Sequence, residues 1–483
     1  MDDSRSAPMG ARLDAMIAAA EADTLGLKRE MGPFSLAALG IATIIGAGIF
    51  VLSGDAASQF AGPGIVLSFA IAGIAAAFSA LCYAELVSMI PVSGSTYVFA
   101  YASLGNFLAW VIGWDLLLEY LLGGSAIAAG WSGYFVNVLG HIGITLPDAI
   151  TGGPFGGGGV VNLPAVLVVV LVTSVLLAGA RESARATSWL VALKLAVLLL
   201  FVVVGAFYIS SANLHPFVPH NTGHFGAFGW SGVVRAAAVV FFAYIGFDVV
   251  CTATQEARNP RRTVPIGLLG ALAVATLLYI AVGFVMTGLI NYHRLASPDA
   301  LSIALAAHPG LAWLQSTVDV GAMIALAASV LATIYAQTRI LMRMAQDGML
   351  PPAFGRIDRR SGTPRLTTIV CGASAAVISG LVPLSTLGDL VSAGTMLAFI
   401  IVSVAVLMLR RTRPDLPRPF RLPLGPTIPL LAALVSLGVL LTLPVETLLR
   451  VVIWLVIGLC VYFGYGRVRA REVDAARAAQ AVG

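Results

Sequence analysis

Four ionisable residues sit where the sequence is otherwise apolar. Lys194 falls inside the run from Trp189 to Tyr208, which carries no other charge. Glu119 and Asp115 lie in Gly113-Trp114-Asp115-Leu116-Leu117-Leu118-Glu119-Tyr120, one helical turn apart on the same face. Asp248 closes Phe241-Phe242-Ala243-Tyr244-Ile245-Gly246-Phe247-Asp248. Ionisable groups in such segments are expensive and face a protein interior or a wet cavity, with a partner. The chemistry they offer is the binding and release of a proton. Lys194 reads either as an interior ammonium or as a side chain that snorkels to the interface. The acids read either as structural groups paired with polar backbone or as groups that sense protonation and gate a site.

Beside these charges lie two glycine interruptions. Ile44-Ile45-Gly46-Ala47-Gly48-Ile49-Phe50 sets two glycines near the middle of the first apolar run. Glycine in a helix interior costs about 1 kcal/mol relative to alanine, so the pair invites unwinding, although membrane helices also use glycine for close packing. Gly246 stands at comparable depth in the sixth run. Interruptions in corresponding segments of two halves point to a transport site. A broken helix exposes N–H groups at one half-helix and carbonyls at the other. A carboxylate suits the first end and an ammonium the second, so the pair of ends suits an α-amino acid.

The whole chain must supply a medium in which such ends matter. Of its 483 residues 59% are hydrophobic and 11% charged, against about 25% charged in an ordinary soluble domain. A soluble enzyme or nucleic-acid binder is excluded, and the chain reads as an integral membrane protein in contact with the lipid bilayer. The net charge of +5 calls for no nucleic acid, because arginine collects in cytoplasmic loops of membrane proteins. Cys82, Cys251, Cys371 and Cys460 are widely spaced and read as small buried hydrophobes. His215, His220 and His224 share no helical frame, and the Gly-rich stretch from Thr151 to Gly159 has no following Lys-Ser/Thr. Neither a metal nor a cofactor is expected.

Runs long enough for a bilayer core of about 30 Å fall at 34–59, 64–90, 105–137, 161–179, 186–210, 231–256, 264–290, 316–344, 366–383, 387–409, 426–443 and 447–466. With the N-terminus inside, 24 basic residues fall in or beside cytoplasmic loops, and three, Arg235, Arg294 and Arg450, fall outside. Both termini are therefore expected in the cytoplasm. The expected fold is all-α, with twelve transmembrane helices, helices 1–5 and 6–10 forming a five-plus-five inverted repeat, and helices 1 and 6 discontinuous. The expected divisions are a cytoplasmic segment 1–33, a first repeat 34–210, a second repeat 231–409, helices 11 and 12 at 426–466, and a cytoplasmic tail 467–483. Residues 1–30 are polar and contain no apolar stretch long enough for a cleavable signal.

From Leu36 through helix 12 the chain resembles the amino acid–polyamine–organocation superfamily, and within it a bacterial relative of the cationic amino acid transporters. The carriers, in order, are Ile45 to Phe50, Pro91-Val92-Ser93-Gly94-Ser95-Thr96-Tyr97, Gly113 to Tyr120, Glu182-Ser183-Ala184-Arg185, Phe242 to Asp248, Glu256-Ala257-Arg258-Asn259-Pro260 and Arg418-Pro419-Phe420-Arg421. Any one is weak; their order and spacing together are specific.

The resemblance implies a midplane site in which the substrate carboxylate meets the backbone of Gly46, Ala47 and Gly48, and its ammonium meets carbonyls near Ile44 and from Phe242, Ala243 and Ile245. Many relatives carry Ser or Thr where this chain has Ala47, so a hydroxyl contact is missing. Lys194 stands where sodium-coupled relatives bind sodium, which implies no sodium partner and makes Lys194, with Glu119 and Asp248, a candidate for proton coupling and gating. Thr333, with Ser329, Ala332, Ile334 and Tyr335, is expected to set side-chain selectivity or to pack in the core. The expected function is proton-coupled symport of L-amino acids by alternating access in a bacterial inner membrane, with small neutral substrates and, as a further class, cationic ones. A sodium-independent exchanger and a non-transporting amino acid sensor are the alternatives; no enzyme activity is expected.

Overall fold

A computed structural model describes residues 31–90, 96–103, 105–156, 158–179, 184–358, 363–470 and 472–473. Positions 1–30, 91–95 of the motif ending at Tyr97, Arg181, Glu182, Ser183, Arg359, Arg360 and the tail from 474 lie outside the described residues, and with them part of the charge count above. We number the longer helices α1 Pro33–Ile44, α2 Ile65–Met89, α3 Gly105–His141, α4 Leu163–Leu177, α5 Ala184–Gly205, α6 Gly229–Val240, α7 Pro260–Leu289, α8 Ala312–Gln346, α9 Arg365–Leu381, α10 Leu384–Thr412, α11 Thr427–Leu440 and α12 Val445–Val461. Among the described residues the only extended pairing is an isolated bridge between Met31 and Ala257.

Each apolar run expected from the sequence contains helix, but the lengths differ. Among the described residues eight helical stretches are long and apolar enough to cross a membrane, while α1, α4, α9 and α11 are shorter. In α1 the reason is the glycine interruption; in α4 the helix opens late, where the Asn162 side chain accepts from the Ala165 N–H at 3.1 Å. In the opposite sense α3 runs four residues past its expected end, to His141.

Apolar residues cover the outside as well as the core. Leu449, Val452, Ile453, Val456 and Ile457 of α12 are exposed, a surface that water would disfavour and lipid solvates. α12 is held to α3 by a reciprocal pair: Trp114 Nε1 donates to the Trp454 carbonyl at 2.8 Å and Trp454 Nε1 to the Trp114 carbonyl at 3.0 Å. The two rings stack with centroids 4.6 Å apart. A β-carbon on Gly458 would lie 2.4 Å from the Trp114 ring, so only glycine admits that indole.

Buried charge clamps one end of the bundle. Glu85, at the end of α2, has no exposure and accepts from Arg410 Nε at 2.8 Å, Arg410 Nη2 at 2.5 Å and the Leu422 N–H at 2.9 Å. Arg418 stands 3.8 Å from the same carboxylate. Its guanidinium also donates to the carbonyls of Leu409, Arg413, Pro414 and Leu416 at 2.9–3.2 Å, capping the end of α10. The Arg418-to-Arg421 motif therefore ties α10 to α2. Breaking a buried ion pair from one side costs about 3–5 kcal/mol, so Glu85→Gln should lower the unfolding temperature in detergent, read by intrinsic fluorescence. Combining Glu85→Met with Arg410→Met should recover most of the loss; a double variant no more stable than Glu85→Gln would contradict this account.

Candidate substrate and proton-coupling site

Two interrupted helices meet inside the bundle. α1 stops at Ile44; Ile45 is extended at φ −74°, ψ 101°, and helical structure restarts with the π turn Gly48–Leu52. α6 tightens into the 3-10 turn Phe241–Tyr244, Ile245 extends to ψ 142°, and Gly246 adopts φ +98°. That left-handed conformation is open to glycine and costly for other residues. The two breaks touch through backbone: a β-carbon on Gly48 would lie 2.1 Å from Ala243 Cα. The second glycine of Gly46-Ala47-Gly48 is thus explained by close approach, and Gly246 by its backbone angle.

Side chains from other elements take up the stranded carbonyls. Lys194, on α5 and 5% exposed, donates from Nζ to the Ala42 carbonyl at 3.2 Å, the Ile45 carbonyl at 3.1 Å and Ser329 Oγ at 2.9 Å. It points into the bundle rather than snorkelling. The Tyr279 hydroxyl of α7 lies 2.8 Å from the Ile44 carbonyl oxygen and 3.0 Å from that of Ala243, so one donor serves both breaks. Thr43 Oγ1 reaches the Gly246 carbonyl at 2.8 Å. Phe242 O accepts from the Ile245 N–H at 3.2 Å. Of the carbonyls expected to receive an ammonium, those of Ile44, Phe242 and Ala243 thus have protein donors here; each retains a second lone pair.

The acids gather on the α6 side. Glu119 and Asp248 line one small cavity with Tyr83, Thr96, Leu116, Thr395, Ala398, Phe399 and the break residues Ile245 and Gly246. The Tyr83 hydroxyl and Thr96 Oγ1 lie 2.7 Å apart. Two carboxylates and three hydroxyls thus share one pocket, groups whose chemistry is the binding and release of protons. The structure therefore divides the sequence-derived set: Lys194 sits on the α1 break with Ser329, and Glu119 and Asp248 sit together under the α6 break.

The α8 residues resolve differently. Thr333 Oγ1 donates to the Ser329 carbonyl of its own helix at 2.8 Å, and its methyl faces Gly124 of α3. Ile334 is buried, while Tyr335 is half-exposed beneath the Arg339 guanidinium, 4.8 Å from ring centre to Cζ. Tyr279, Thr43, Tyr83, Thr96 and Thr395 escaped the sequence reading. Tyr279 carried a signal, a polar tip in the middle of the seventh apolar run.

Helices wrapped in apolar surface around two interrupted helices and buried ionisable groups are the architecture of a multi-pass membrane permease. The amino acid permease family model matches residues 31–464, and the chain belongs to that family, within the amino acid–polyamine–organocation superfamily. It is 43% identical over 452 residues to a branched-chain amino acid permease of Bacillus subtilis (strain 168), covering 93% of this chain and 95% of that one. It is 42% identical over 449 residues to a methylthioribose transporter of the same organism, covering 93% and 95%. To the vacuolar cationic amino acid transporter 4 of Arabidopsis thaliana it is 38% identical over 392 residues, covering 80% and 64%.

Tyr279→Phe keeps the ring between Phe69 and Tyr244, each with its centroid 5.5 Å away, and removes only the shared donor. Leaving buried acceptors unpaired costs about 1–3 kcal/mol, so amino acid uptake into proteoliposomes should fall roughly tenfold or more while the purified protein remains monodisperse. Uptake at the wild-type rate would show that the hydroxyl does not hold the breaks.

Proposed function

We propose that the chain is a secondary active transporter that takes up L-amino acids together with protons by alternating access. In this reading twelve helices span a bacterial inner membrane with both termini cytoplasmic, and α1–α5 and α6–α10 are the two inverted repeats. The substrate carboxylate binds the backbone N–H groups of Gly46, Ala47 and Gly48, and its ammonium binds the carbonyls of Ile44, Phe242, Ala243 and Ile245. Small and aliphatic neutral side chains are the main class. The relatives named for branched-chain and for cationic amino acids bracket the range, and Thr333 beside Gly124 leaves α8 small where it faces α3.

One observation carries the coupling: the Lys194 ammonium holds the Ala42 and Ile45 carbonyls of the α1 break. A cation there replaces a metal ion electrostatically, so sodium is not required. Loss of its proton would leave a single lone pair and weaken the hold on α1, which links protonation to the position of the broken helix. Glu119 and Asp248 are the second protonation site and act on the α6 break. An obligate exchanger is the competing reading, favoured by a Lys194 that keeps its charge on these same acceptors throughout the cycle.

The deciding measurement is labelled alanine uptake into proteoliposomes with an imposed pH gradient. Wild type should accumulate alanine down the proton gradient without sodium, and Lys194→Ala should abolish that accumulation. Wild-type accumulation by the variant would refute the role of Lys194. Uptake indifferent to the gradient and dependent on internal amino acid would make the protein an exchanger.

A further inference from the structure

Asp115 has no exposure, and among the described residues neither of its carboxylate oxygens has a hydrogen-bond partner. It lies on α3 one turn before Glu119, at the contact with α10. There the opposing residue is Gly394, whose added β-carbon would stand 3.3 Å from Asp115 Oδ1 and 3.8 Å from Glu119 Cβ. Glycine at that position lets α10 close directly over both acids. The ionisable group acting on Asp115 is Glu119, which in turn feels Asp248; α10 offers Gly394 and the Thr395 hydroxyl at this level. A buried carboxyl without protein partners costs several kcal/mol, far more when ionised. Buried polar groups are hydrogen-bonded as a rule, so an unpartnered buried carboxyl calls for a functional account. Three carboxylates gathered in a low-dielectric interior cannot all be ionised together.

We propose that Asp115 is a further proton-binding residue of the transport cycle: it holds a proton while α10 covers it, and exchanges that proton through Glu119 and the cavity beneath the α6 break when α3 and α10 part. The cluster then titrates as a coupled set rather than as isolated acids. The inference rests on the proton-coupled reading above and deepens it.

The test uses the full-length protein in proteoliposomes with two readouts: amino acid counterflow at equal internal and external pH, measured from about pH 5 to 8, and protons moved per substrate, followed with a trapped pH dye. Asp115→Asn, an uncharged mimic of the protonated acid, should move the counterflow profile by about one pH unit or more and lower the proton count. A profile and a proton count both equal to wild type would overturn the assignment. Should Asp115→Asn fail to fold, Gly394→Ala decides: it keeps the carboxyl and crowds Oδ1, and an unchanged profile in that variant overturns the assignment equally. If wild type moves no protons with substrate, the coupling reading falls by itself. The counterflow profile then still decides Asp115, a shift in the variant supporting it and a wild-type or pH-independent profile overturning it.

Discussion

A helix interrupted inside hydrocarbon strands backbone groups that water cannot reach, each at a cost of several kcal/mol. The rest of this structure answers to that constraint. α1 and α6 both break, and the freed carbonyls are met by donors from elsewhere: Lys194 of α5 on Ala42 and Ile45, Tyr279 of α7 on Ile44 and Ala243, and Thr43 of α1 on Gly246. The breaks can exist because these neighbours are in place, and the polar side chains can be buried because the breaks give them acceptors. Each half of the arrangement supplies hydrogen-bond partners to the other.

The same arrangement makes the site responsive. Gly48 and Ala243 bring the breaks into backbone contact, so neither can shift without displacing the other. Ser329 attaches the α1 break to α8 through Lys194, and the acidic cavity attaches the α6 break to α2, α3 and α10. A ligand or proton that prefers one arrangement of the breaks biases all of these contacts together. That differential preference is what population shift requires.

How much of this was legible follows from what counts as an anomaly in an apolar sequence. A charge or a glycine pair stands out against leucine and valine, and Lys194, Glu119, Asp248, Gly246 and Gly46-Ala47-Gly48 were found for that reason. Hydroxyl residues do not stand out, because a serine or threonine in a membrane helix can bond its own backbone one turn back. Thr333 does so; Thr43 reaches Gly40 and also crosses to the other break, and no sequence pattern separates the two. Helix lengths failed for a related reason. A run of apolar residues fixes where lipid is tolerated, whereas a capping residue such as Asn162 fixes where hydrogen bonding begins.

Charge is handled in two ways, and the difference separates scaffold from mechanism. Glu85 is met by Arg410 and Arg418, and Arg235 by Asp389 at 2.8 Å. Such pairs have large mutual Coulomb energies in a low-dielectric interior, and they hold helices together. The Lys194 ammonium bonds the Ala42 and Ile45 carbonyls and Ser329, and Glu119 and Asp248 share a pocket whose described lining offers the hydroxyls of Tyr83, Thr96 and Thr395. Dipoles stabilise a charge less than a counter-ion does, and they also accommodate the neutral form. In the proton-coupled reading these are the groups that change state, and they border the two interrupted helices from α5, from α3 and from just past the α6 break.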